Sequence, residues 1–182
     1  PGLRLFGAAA SDDFRFSRTL QYYQHRALSS SATGLAWGGD VPYAAASGHG
    51  WRPLGKPRRI TQASGHIIKA IDGQKAVLLY QNFFAADAAL MKDNRLGTVA
   101  LRYPLGIYDE QQHNYLIRNV VDVLDDGSLV CQDNVTAEAR VHIMIGNKES
   151  CLQAAMETTE NVLAQAAGRT PKLLLVLESL LR

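Results

Sequence analysis

An arginine inside an apolar stretch is the first residue of this chain that demands a chemical partner. Arg118 follows Tyr115-Leu116-Ile117 and precedes Asn119 and two valines, the pattern of a strand that enters a core. A guanidinium there must meet a carboxylate of the protein or an anionic ligand, because an unpaired charge in apolar surroundings is costly. The sequence leaves both partners open. Asp12-Asp13 could hold a cation or an amine, and such a pair also serves as a turn. The run from His49 to Thr61 carries Trp51 among glycines and prolines. A tryptophan in such a loop must pack on something, so the segment reads either as a binding loop or as a lid anchored on the core with its indole N–H satisfied.

Several chemistries lack their residues. The five histidines, His25, His49, His66, His113 and His142, never pair with a carboxylate at the helical spacing of a metalloprotease. Ser47-Gly48 and Ser64-Gly65 lack the Gly-x-Ser-x-Gly frame of a nucleophile elbow. Gly50 to Lys56 ends in a lysine without the spacing of a phosphate loop. Cys131 and Cys151 have no further cysteines to join, which excludes a disulfide framework and a Cys-rich zinc site and fits a reducing cytoplasm.

The elements that must position these residues follow from turn and periodicity signals. Asp72-Gly73 and Asp126-Gly127 each lie between apolar runs and supply the positive φ values of a tight hairpin. The second predicts an antiparallel pair over residues 120–131. After the first, Ala76 to Tyr80 reads either as the returning strand or as the start of a helix. Leu152, Ala155, Met156, Thr159, Val162, Leu163 and Ala166 form one apolar stripe and predict a helix over 148–167. Asn147 is its expected N-cap, and Gly168 with Pro171 its stop. Strands are expected at 3–6, 33–37 and 140–145, a strand or hairpin within 14–28, and a buried strand at Leu173–Leu177. Gly34 to Gly55 reads as a short strand followed by an irregular loop, since its glycines and prolines exclude a helix. The sum is an α+β fold with mostly antiparallel sheets flanked by helices.

Composition bounds the rest. The chain has 182 residues, 47% hydrophobic and 20% charged, with a formal net charge of +2. A chain of this length buries roughly 70% of its unfolded surface and needs no staples. The densest basic cluster, Lys56, Arg58 and Arg59, is too small for a nucleic-acid footprint. The longest apolar run, Leu173 to Leu177, is too short to span a bilayer. Neither nucleic acid nor membrane is an expected partner.

An ordered series of segments resembles the FIST domain family. His49-Gly50-Trp51-Arg52-Pro53-Leu54-Gly55, Thr61 and Ile71 to Ala76 are similar to the junction between the family's two halves. Tyr103-Pro104-Leu105-Gly106, Tyr115 to Asn119, Asp126 to Leu129 and Gly168 to Pro171 follow in the family's order, and Phe6 to Phe14 resembles its Gly/Ala-rich N-terminal segment. The resemblance implies two parts, residues 1–75 from the end of an N-terminal half and 76–182 as the C-terminal half. It implies a cytoplasmic sensory domain, not an enzyme, that binds a small ligand and signals to a partner such as a histidine kinase in a two-component system. The ligand would be amino acid-like, or haem as a cofactor, with no histidine singled out to hold it. The ligand-binding residues would be Asp12, His49, Trp51, Tyr103, Arg118 and Asn119, with Arg118 on a carboxylate and Asp12 on an amino group. Leu181 stands where the family more often has a cysteine, so no thiol role is expected there. An enzyme on the same scaffold and a ligand-free interaction module are the alternatives.

Overall fold

Short turns set the register of this chain, and one long strand joins the pieces. The computed structural model describes residues 4–12, 17–84, 96–110 and 113–178. It divides into two compact units, 1–47 with 157–182, and 48–156.

In the first unit, β1 (Gln21–Tyr23) and β2 (Arg26–Leu28) form a small hairpin with Gln21 opposite Leu28. Its two-residue turn, Gln24-His25, has φ of 44° and 67°, the left-handed pair that matches strand twist in a tight hairpin. The expected strand or hairpin within 14–28 is thus this hairpin, while Leu3, Phe14 and Phe16 lie outside the described residues. Residues 4–6 and 33–37 form no strand.

The second unit is a curled antiparallel sheet. β3 (Arg52–Ser64) pairs through its first half with β10 (Arg140–Ile145) and through its second half with β4 (Ile67–Ile71). β5 (Gln74–Lys75) folds back on β4 through Asp72-Gly73, with φ of 50° and 73°. The chain then enters α1 (Leu78–Phe83), so Ala76 to Tyr80 leads into a helix after a two-residue strand. Beyond α2 (Leu96–Arg102), β6 (Leu105–Asp109) pairs with β10 and with β7 (Asn114–Arg118). β8 (Val120–Val123) and β9 (Leu129–Cys131) form the expected hairpin, in which Asp126 Oδ1 accepts the Ser128 N–H at 2.8 Å. The sheet order is β7-β6-β10-β3-β4-β9-β8. Its two end strands are consecutive in sequence, with Asn119 alone between them, so one bent segment joins both ends of the sheet.

The β-branched residues of these strands point to one interior. Ile60, Ile68, Val120, Val141 and Ile143 are buried there with Leu105 and Leu129. Ala76, Leu79 and Tyr80 near α1 and Val99 and Ala100 of α2 complete the cluster. Each such side chain contributes about 1.5–3 kcal/mol by leaving water. Tyr80 satisfies its polar tip by donating to the Tyr103 carbonyl at 2.8 Å.

Two further expectations need correction. Leu173–Leu177 is not a buried strand: the five side chains are 51–74% exposed. An apolar run of this kind needs a sheet on both sides, and no described strand pairs with it. Residues 52–55 are strand where a loop is expected, because Pro53 and Leu54 pair with Met144 and Ile143. The expected helix is present as α3 (Lys148–Ala166), and Leu152, Met156 and Leu163 of its stripe are more than half exposed. No described helix is long and apolar enough to cross a membrane.

Candidate functional site

The segment His49–Arg52 runs beside the start of α3, and close backbone approach holds the two together. A Cβ built on Gly50 would lie 2.6 Å from Cα and 2.7 Å from N of Cys151, so only glycine lets the segments touch. A Cβ on Gly146 would meet the Trp51 ring at 3.1 Å. Trp51 therefore lies against Gly146, in the turn that leads into the helix. Arg52 follows at once, opposite Ile145 in the β3–β10 register.

The helix start is built by reciprocal capping. Asn147 Oδ1 accepts the Ser150 N–H at 2.7 Å, and Ser150 Oγ accepts the Asn147 N–H at 3.0 Å. Ser150 Oγ also donates to the Asn147 carbonyl at 3.0 Å. These bonds satisfy end groups that a helix cannot pair internally. Between this cap and β3 lies an open cleft of about 250 Å³, lined by Arg52, Asn147, Glu149, Ser150 and Gln153. Arg52 and Glu149 bring opposite charges to one cleft, and among the described residues neither is in an ion pair. The positive end of the helix dipole adds to the field of Arg52.

The residues expected from sequence are only partly brought together. His49 and Trp51 flank this cleft in sequence, and His49 Nε2 donates to the Tyr115 carbonyl at 3.0 Å. Arg118 has a 17% exposed side chain whose guanidinium is already engaged. Its Nε donates to the Asn134 carbonyl at 2.9 Å, one Nη donates to the Ile117 carbonyl at 3.2 Å, and the other lies 3.6 Å from Asp133. Asn119 is 7% exposed and donates to Gln132 Oε1 at 3.0 Å. Arg118 and Asn119 thus fasten the bend between β7 and β8 to residues 132–134. Tyr103 packs on Phe84 with ring centroids 4.7 Å apart. Asp12 belongs to the other unit, where its carboxylate accepts the Ser17 and Arg18 N–H groups at 2.7 and 2.9 Å. Two members of the basic cluster are paired, Arg58 with Asp72 and Arg59 with Glu138.

The cleft residues Asn147, Glu149, Ser150 and Gln153 lay outside the sequence reading as ligand groups, and Arg52 entered it only as part of a motif. The signal was present in Asn147 as helix cap and in the Arg52 that precedes Pro53, but their proximity depends on the β3–β10 pairing. A haem does not fit this cleft: its lining has no histidine, cysteine or methionine to reach an iron. Among the described residues, no three metal-donor side chains gather.

The comparisons with known proteins bear on the whole chain. Over 114 residues it is 25% identical to uncharacterized protein MJ1623 of Methanocaldococcus jannaschii, covering 58% of this chain and 22% of that protein. The chain therefore spans under a quarter of that relative's length. No solved structure matches. Residues 1–74 match the FIST N domain and residues 76–182 the FIST C domain. FIST domains are generally considered sensory and signal-transduction modules. With both halves matched in order from the first residue to the last, the chain belongs to the FIST family.

Proposed function

We propose that this chain is the ligand-binding part of a sensor and that its ligand is a small zwitterion of amino-acid type. The supporting observation is the cleft beside a capped helix start in which Arg52 and Glu149 have no ion-pair partner among the described residues. Arg52 would take a carboxylate through its planar fork, and Glu149 an ammonium group. Asn147 and Gln153 offer amide groups to the polar remainder. A volume of about 250 Å³ suits a ligand smaller than those of the usual pockets of about 300–1,000 Å³. The reading is binding without catalysis, with the signal passed to a partner protein such as a histidine kinase in the cytoplasm.

A thermal-shift screen with three matched probes tests it: an amino acid, its decarboxylated amine and its deaminated acid. The amino acid at a hundred times its dissociation constant should add about 2.7 kcal/mol of stability. Either fragment should bind at least tenfold more weakly. Equal stabilisation by the acid alone would remove the role of Glu149, and no stabilisation by any amino acid would remove the reading.

A further inference from the structure

The sheet stops at β7, and the outer rim of that strand is occupied. β6 faces β10 through Gly106, which lies opposite His142, and just before it the Pro104 carbonyl accepts the Met144 N–H at 2.8 Å. Leu105, Ile107 and Asp109 are then left to bond Arg118, Leu116 and Asn114 of β7. Tyr115 and Ile117 therefore turn their N–H and C=O groups outward, where a further strand would add. At the other end of the sheet α2 packs against β8. No described strand pairs with the far side of β7. A rim of this kind is a template for another chain.

Side chains take three of these four outward groups. Asn114 Oδ1 accepts the Tyr115 N–H at 2.8 Å, one Nη of Arg118 donates to the Ile117 carbonyl at 3.2 Å, and His49 Nε2 donates to the Tyr115 carbonyl at 3.0 Å. The first two come from β7 itself. His49 comes from 66 positions away, on a run that Gly50 holds against Cys151. A neighbouring strand would lie about 4.7–4.9 Å from β7, and the half-buried imidazole stands in that lane. Tyr115 is held in turn, its ring 5.2 Å from Tyr108 and 5.5 Å from His142.

We propose that His49 guards this edge, and that the strand it excludes is β7 of a second copy of the chain. An antiparallel β7–β7 pair about a twofold axis would set Tyr115 opposite the partner's Ile117, joined by their outward groups, and Leu116 opposite itself. Arg118 would then face the partner's Asn114 and not a like charge, so the side chains favour this register. Leu116 is exposed and free to meet its twin. With His49 in place the Tyr115 carbonyl is out of reach of an incoming strand. The cleft and its ligand do not enter this inference.

Disulfide trapping in the 182-residue chain tests it. Leu116→Cys is introduced with His49 intact, with His49→Ala, and with His49→Gln, which keeps a donor. Directly opposed residues of a non-hydrogen-bonded antiparallel pair lie about 4.5 Å apart at Cα, within reach of a disulfide. Under mild oxidation, the peptide linked through position 116 of both copies is measured by mass spectrometry. It should be about tenfold more abundant in His49→Ala than with His49 intact, and in His49→Gln it should stay within about twofold of the intact level. Linkage that does not rise in His49→Ala, or that rises as much in His49→Gln, overturns the proposal. Should His49→Ala fail to fold, the NMR nitrogen shifts of the wild-type His49 ring decide. A proton on Nε2 with Nδ1 bare supports the guard. The opposite tautomer overturns it, because it leaves no donor for the Tyr115 carbonyl.

Discussion

Arg118 shows how much one side chain's meaning depends on its neighbours. Sequence could say only that its guanidinium must be paired, and the structure supplies two carbonyls and Asp133. The two bonds to carbonyls carry most of the effect, since Asp133 is largely exposed and a solvated ion pair contributes little. Arg118→Ala should therefore cost about 2 kcal/mol, seen as a fall in melting temperature, while leaving affinity at the Arg52 cleft within twofold. A variant that melts like the wild type would contradict the pairing. The two cysteines should also separate by reactivity. Cys131 is buried, and burial pushes its thiol up to about 11, with Arg118 acting the other way. Only the thiolate attacks an alkylating reagent. Iodoacetamide at pH 8 should label Cys151 in the native protein and reach Cys131 only after unfolding, as peptide mass spectrometry would show.

Elements were legible wherever their signal was local. Asp126-Gly127 specifies its own turn, and Asn147 caps α3 as expected. β3 was not legible, because Pro53, Gly55 and Pro57 contradict a strand locally and are accepted only through β10, with a bulge absorbing Gly55 to Pro57. Leu173–Leu177 fails in the opposite direction: its composition demands burial, but burial depends on a neighbour that the run itself cannot specify. The cleft was hidden for the same reason, since Arg52 and Glu149 are 97 positions apart and meet only when β3 pairs with β10. Two substitutions test this construction. Asn147→Ala should cost about 1 kcal/mol as a lost cap. Gly50→Ala should cost about 1–3 kcal/mol as overpacking, because its new methyl meets the backbone of Cys151 and not a side chain that can swing away. Chemical denaturation measures both, and an unchanged midpoint for Gly50→Ala would mean that the two segments are not in contact.

For the whole molecule, the curled sheet acts as a frame that brings its two ends together at Asn119 and presents the cleft where β3 and β10 meet α3. Membership of the FIST family sets the sensory context, and the proposed ligand site is the cleft where, among the described residues, Arg52 and Glu149 form no ion pair. The most direct test of that claim is a calorimetric double-mutant cycle with an amino acid as titrant, comparing the wild type, Arg52→Gln, Glu149→Gln and the double variant. Each single change should weaken binding at least tenfold, which is about 1.4 kcal/mol, with melting temperature nearly unchanged. The double variant should show no measurable heat of binding. Full affinity in all three variants would place the ligand elsewhere and contradict the account.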